Sequence, residues 1–144
     1  MVQVERTVTV RTPIERVAEY LADFAHTEDW DPGTVSCTRT DEGPITVGAE
    51  WHNVSEFRGR RTELDYHLTR RDAGRVTFVG ENKTATSTDD FGLSAGPDGT
   101  TVRYRATIVF HGWAKLASPL LKREFERLGD AVVPELTRVL EALG

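Results

Sequence analysis

The sequence predicts an α+β domain: a seven-stranded antiparallel sheet wrapped around a long C-terminal helix, with two short helices after the first strand. Three observations carry this. A strand pattern and a short helical pair come first. Alternating segments separated by turn residues then run from about Thr34 to His111. One apolar-seamed helix, about residues 119–143, closes the chain. A curved sheet must wrap around that helix to bury its stripe, and such a shape often leaves interior space.

Val2, Val4, Val8 and Val10 alternate with Gln3, Glu5, Thr7 and Thr9, which is strand periodicity, and Arg6 falls on the apolar face. Thr12-Pro13 reads as a helix start, a capping hydroxyl followed by proline at the first helical position. Ile14, Val17, Ala18, Leu21 and Ala22 form one helical stripe. Residues 23–31 read as a second short helix, ended by Trp30-Asp31-Pro32-Gly33. Strands are expected at 34–40, 49–58, 61–71, 75–82, 85–95 and 101–111, with turns at 41–44, 59–60, 72–74 and 96–99.

The turns set registers that can be tested against one another. A two-residue turn at Gly59-Arg60 pairs Ser55 with Leu64, Asn53 with Tyr66 and Trp51 with Leu68. The turn at Asp72-Ala73-Gly74 pairs Leu68 with Phe78 and Tyr66 with Gly80. The turn at 96–99 pairs Leu93 with Val102, Phe91 with Tyr104, Asp89 with Ala106 and Ser87 with Ile108. Each hairpin gathers its apolar residues mainly on one face, which supports a meander. In the closing helix Ala117, Leu121, Phe125, Leu128, Val132, Leu136, Val139 and Leu143 share a face, with Ser118-Pro119 as cap and first residue. Pro134 removes a backbone donor, so a kink is expected near residues 130–134, in a region softened by Gly129.

The chain has 144 residues, a net charge of −5 and 38% hydrophobic content, which fits one soluble domain spanning residues 1–144. The acidic balance disfavours nucleic acid as a partner, which calls for a clustered basic face. Cys37 is the lone cysteine, so no intrachain disulfide forms, and a buried inert thiol is expected. The N-terminus runs straight into a strand without a signal-peptide core, and no stretch approaches membrane-spanning length, so a cytoplasmic location is the default. Phosphate loops, serine-hydrolase elbows and zinc motifs do not occur, which argues against those chemistries and leaves cofactor-free acid/base catalysis open.

Several short words suggest a family. Thr12-Pro13 precedes the helix 14–22; Trp30-Asp31-Pro32 and Val47-Gly48-Ala49-Glu50-Trp51 follow. Gly99-Thr100-Thr101-Val102 then leads to His111-Gly112-Trp113 and Ser118-Pro119-Leu120-Leu121. With the order of elements, these words resemble the START/Bet v1-like (SRPBCC) superfamily, and more narrowly its bacterial polyketide cyclase/dehydrase-like members. The resemblance covers essentially the whole chain. It implies a helix-grip fold with a cavity between sheet and closing helix. Members bind lipids, sterols, polyketides, plant hormones or quinones; some cyclise and dehydrate aromatic precursors. Pro134 departs from a typical member.

The inward face should line that cavity. Trp51, Phe57, Leu64, Leu68, Phe78, Phe91, Tyr104, Ile108 and Phe110 supply apolar wall, Trp30 borders it, and Leu121 and Phe125 face it from the helix. Ser55, Asn82 and Ser87 are candidate polar contacts. Asp89 is the sharpest position: an inward carboxylate is costly without partners, and desolvation tunes it as an acid or base, unless Arg6 neutralises it. Tyr66 and Asn53, as cross-strand neighbours, would act with Asp89 by donating to a ligand carbonyl. His52 and His67 fall opposite each other but on the outer face, so no metal site is expected. The apolar segment 113–121, with Lys115 its one charge, reads as lid, partner site or core.

The leading expectation is binding of a small hydrophobic ligand: polyketide, lipid or aromatic compound, with no cofactor. The alternatives are a cofactor-independent polyketide aromatase/cyclase or dehydratase, and a protein-interaction module without a small-molecule ligand.

Overall fold

A computed structural model describes the backbone of residues 1–144 and every side chain except those of Ala117, Ser118 and Leu120. The alternation of the first strand survives in three dimensions: in β1 (Val2–Val10) the four valines at 2, 4, 8 and 10 are buried and their polar neighbours at 3, 5, 7 and 9 are exposed. The same period shapes β2 (Thr34–Arg39), β3 (Glu50–Phe57), β4 (Arg60–Asp72), β5 (Arg75–Glu81), β6 (Ala85–Gly96) and β7 (Gly99–Phe110). They form one antiparallel sheet in the order β1-β7-β6-β5-β4-β3-β2, so the first strand pairs with the last and the rest is a meander.

The predicted pairings in β6–β7 hold residue by residue, Phe91 with Tyr104 and Asp89 with Ala106 among them. Those between β4 and β5 hold at Leu68–Phe78 and Tyr66–Gly80. The β3–β4 hairpin differs. Its turn lies at Arg58-Gly59, both in the left-handed region with φ of 55° and 77°, which is the two-residue geometry that suits a twisted hairpin. Moving the turn back by one residue pairs Asn53 with Leu64 and Trp51 with Tyr66. The faces are unchanged, because both strands slide by an even step in sum, but the predicted Asn53–Tyr66 and His52–His67 pairs are lost. His52 instead lies opposite Asp65, with Nδ1 2.7 Å from Asp65 and Nε2 2.7 Å from Glu63.

After β1 come α1 (Ile14–Leu21), a 3-10 turn at Phe24–His26 and α2 (Thr27–Trp30). Thr12 does not cap α1; Pro13 holds the cap position and no side chain bonds there. The Thr12 hydroxyl donates to the Leu140 carbonyl at 2.6 Å, and the Thr12 carbonyl accepts from Thr100 at 2.7 Å. A buried threonine therefore ties the β1–α1 corner to the far end of the closing helix.

That helix, α3 (Ser118–Glu141), runs through Pro134 as one element and packs along β1. The capping role expected of Ser118 and the stripe position of Ala117 lie outside the described side chains. Gly129 permits the close approach: a Cβ there would stand 2.5 Å from a Val4 methyl carbon. Arg6, on the inner face of β1, pairs with α3 rather than with Asp89. It reaches Glu126 at 2.8 Å and Asp130 at 2.9 Å.

Candidate functional site

The two ends of the concave sheet are filled differently. Where α1 and α2 cover it, aromatic rings pack solid. Trp30 meets Phe91 and Tyr104 edge-on at 5.6 and 5.4 Å, and Phe24 packs on Phe78 at 4.5 Å. Trp51, Leu68, Phe78 and Phe91 have no exposed surface, and each fully buried large side chain contributes roughly 1.5–3 kcal/mol. These four, with Trp30, were expected to line a cavity. They form the packed core beneath it, because the two short helices occupy the space in front of them.

Toward the β3–β4 turn the sheet and α3 separate and enclose a cavity of about 630 Å³. Its wall includes the predicted Ser55, Phe57, Leu64, Ser87, Tyr104, Ile108, Phe110, Leu121 and Phe125, together with Asn53, Tyr66 and Asp89. Asn82 is not in it. Its side chain donates to the Glu63 carbonyl at 3.0 Å and accepts from the Thr84 and Ala85 amides, holding the β5–β6 turn. Phe57 and Phe125 stack at 4.7 Å on the outer side, and the Arg58 guanidinium approaches Glu124 at 3.8 Å nearby. These contacts join the β3–β4 hairpin to α3 at the opening.

Asp89 sits where core and cavity meet, with Phe91 on one side along the strand and Ser87 on the other. Only 7% of it is exposed. The Tyr104 hydroxyl donates to its carboxylate, and the Tyr66 hydroxyl acts on the same group. Burial pushes the Asp89 carboxyl up to about 7; the tyrosine hydroxyls resist this and the Asp31 carboxylate adds to it. Burial and the neighbouring Asp89 charge hold both tyrosines well above the ordinary phenol range, so they are neutral donors. Tyr66 is fixed from behind by Gly80, where a Cβ would fall 2.6 Å from the ring. Asn53 stands apart from this group in its bonding: its side-chain oxygen accepts from Ser55 at 2.6 Å.

The cluster is thus Tyr66–Asp89–Tyr104, with Tyr104 where Asn53 had been expected. Asp31 was missed. It lines the cavity while its carboxylate accepts from the Gly33 amide at 2.9 Å and the Thr34 hydroxyl at 3.0 Å. Burial raises its pKa and those two bonds lower it. The turn word Trp30-Asp31-Pro32-Gly33 marked a chain reversal, with no signal that the carboxylate turns inward. Val2 and Val4 also line the wall, and their alternation was the available signal. Cys37, opposite Asn53 on β2, is buried with its thiol pushed up to about 11 by burial, consistent with an inert side chain. Among the described residues no His, Cys, Asp or Glu group is arranged to hold a metal.

Fold and site together define a helix-grip domain with an apolar ligand cavity and a buried polar cluster at its inner end. The chain belongs to the polyketide cyclase / dehydrase and lipid transport family, whose profile matches residues 1–141. The comparison with curated proteins gave no match. Among solved structures it resembles a START superfamily protein from Mycobacterium smegmatis, at 15% identity with 99% of each chain covered and a TM-score of 0.78. It also resembles the Zhui aromatase/cyclase from a Streptomyces species, at 17% identity over 96% of this chain and 93% of that one, TM-score 0.79. A STAR-related lipid transfer protein from Xanthomonas axonopodis matches at 14% identity over 96% and 85%, TM-score 0.71. At these identities the likeness establishes the fold. No helix among the described residues is long and apolar enough to cross a membrane.

Proposed function

We propose that the chain binds a small hydrophobic ligand, a polyketide, lipid or aromatic compound, between the sheet and α3. The observation that carries this is the cavity of about 630 Å³, within the range that encloses a drug-sized molecule. Its wall is mainly apolar, with Tyr66, Asp89 and Tyr104 grouped at the inner end and Ser55, Glu56, Arg58, Arg60 and Thr62 near the β3–β4 turn. A ligand would place its apolar body against Ile108, Phe110, Leu121 and Phe125, and a carbonyl or hydroxyl against Tyr66, Asp89 and Tyr104. Native mass spectrometry of freshly purified protein tests the reading. A retained hydrophobic compound, displaced by Leu128→Trp in the wall, supports it. Failure to retain any compound or to take up polyketide, fatty-acid or polycyclic aromatic probes overturns it.

A second reading follows from Asp89 itself. A buried carboxyl whose pKa is pushed up to about 7 suits general acid–base work. Ionised Asp89 would take a proton from a carbon flanked by two carbonyls. The resulting enolate carbon would add to a second carbonyl of the same chain, and the new alkoxide would take a proton back from Asp89. Tyr66 would donate to the oxygen on which charge develops. Asp89→Asn separates the two readings. Binding within about three-fold of wild type, with no turnover to lose, fits a carrier; binding preserved with cyclisation of a poly-β-ketone probe abolished fits a catalyst.

A further inference from the structure

The inner end of the cavity is unbalanced in charge. Carboxyls reach it from separate elements, Asp31 from the turn after α2 and Asp89 from β6. They share one neighbourhood: Trp30, next to Asp31 in the chain, packs on the Tyr104 ring at 5.4 Å, and the Tyr104 hydroxyl donates to Asp89. Phe24, Tyr66, Ser87 and Tyr104, which line the same end, are neutral. Among the described residues of the wall the cations are Arg58 and Arg60, exposed at the β3–β4 turn beside Glu56, and Arg58 approaches Glu124 there. Arg6, the guanidinium that could have reached Asp89, is held by Glu126 and Asp130. Hydrogen-bonding capacity is as one-sided as the charge. The Tyr104 hydroxyl is spent on Asp89, the Ser87 hydroxyl acts on Tyr66, and the Ser55 hydroxyl is spent on Asn53. Asp31 accepts from the Gly33 amide and the Thr34 hydroxyl. An ionised carboxylate has about four lone-pair sites, so both carboxyls keep room for a further donor.

We propose that this inner end receives the protonated amine of an apolar ligand, with Asp31 and Asp89 accepting its N–H groups and the rings of Phe24, Tyr66 and Tyr104 about it. The inference rests on the ligand-binding reading above and narrows its ligand class. A protonated amine brings several donors and the positive charge that the inner end lacks. Aromatic rings attract such a cation where water is excluded. With a cation beside them both carboxyls stay ionised, against the burial that raises them. A ligand carboxylate would meet like charge, and a ligand carbonyl would have to draw a tyrosine hydroxyl away from Asp89.

Calorimetric titration of the ligand-free protein at neutral pH with decylamine, decanol and decanoic acid, which share one chain and differ in the head group, tests it. Decylamine should bind about ten-fold or more tighter than decanol, and decanoate most weakly. Asp31→Asn and Asp89→Asn should each weaken decylamine by about ten-fold and leave decanol within about three-fold, which also shows that the variants are folded. Decanol or decanoate binding as tightly as decylamine overturns the inference and leaves the hydrophobic-ligand reading standing. So does decylamine binding that survives both substitutions, since the amine then sits on the acidic surface of a chain of net charge −5. If none of the three binds while a polycyclic aromatic probe does, the inference falls alone; if that probe also fails, both fall.

Discussion

Asparagine at position 89 keeps an oxygen for the Tyr104 hydroxyl to donate to but cannot ionise. Asp89 has its carboxyl raised from 3.8 to about 7 by burial, a difference of roughly three pKa units. Between those values the native chain holds a proton that the unfolded chain has released, so the contribution of Asp89 to stability declines as pH rises across that window. It is fully present below about 4 and lost above about 7. At about 1.4 kcal/mol per unit the total is about 4 kcal/mol, an upper bound because water entering the cavity screens the ionised form. Asp89→Asn removes this dependence. Urea unfolding of both proteins from pH 5 to 9, at constant ionic strength, gives the difference directly and cancels carboxylates such as Asp90, whose pairing with Arg75 acts in the opposite direction. The variant should gain about 1–3 kcal/mol relative to wild type between the two ends of that range, which covers roughly two of the three units. A difference that stays constant with pH would refute the claim that Asp89 is held in a poorly hydrated site.

Other perturbations probe the supports of the cavity. Gly80→Ala would put a methyl group 2.6 Å from the Tyr66 ring, so it should cost about 1–3 kcal/mol in denaturant melts and weaken ligand binding by displacing that hydroxyl. Gly129→Ala meets Val4 at 2.5 Å and should cost a similar ~1–3 kcal/mol by forcing α3 off β1. Thr12→Val removes the buried hydroxyl donor to the Leu140 carbonyl, which keeps only the Leu143 amide, and should cost about 1–2 kcal/mol, visible in the same melts. Phe125→Ala removes the stack on Phe57 at the opening; stopped-flow displacement should show ligand release about ten-fold faster with association nearly unchanged.

The registers show where sequence reasoning held and where it gave way. At β6–β7 the Gly96-Pro97-Asp98-Gly99 word left one sensible turn, and the pairing followed through Ala85–Phe110. At β3–β4 the word Arg58-Gly59-Arg60 allowed two placements with the same faces. Backbone twist chose the one that puts Arg58 at positive φ. Alternation fixes which face a residue is on, and it is blind to a shift that preserves the face. The error left every wall residue inward, yet it exchanged the partner of Tyr66 from Asn53 to Trp51.

The sequence by itself determined the elements, their order and the inward set, because period, proline and glycine act over a few residues. It also placed Asp89 inside. Tertiary structure decided the rest. Whether Trp51 or Phe91 lines a cavity or fills a core depends on where α1 and α2 lie along the sheet, and no local period records that. Arg6 turned to α3 through contacts spanning up to 124 residues of chain, whereas Asp31 is held by partners two and three residues away and meets the cavity only because the fold encloses one beside it. Asp89 faces two tyrosine hydroxyls because β7 and β4 bring Tyr104 and Tyr66 to the same inner face of the sheet, and no guanidinium because Arg6 is held by Glu126 and Asp130.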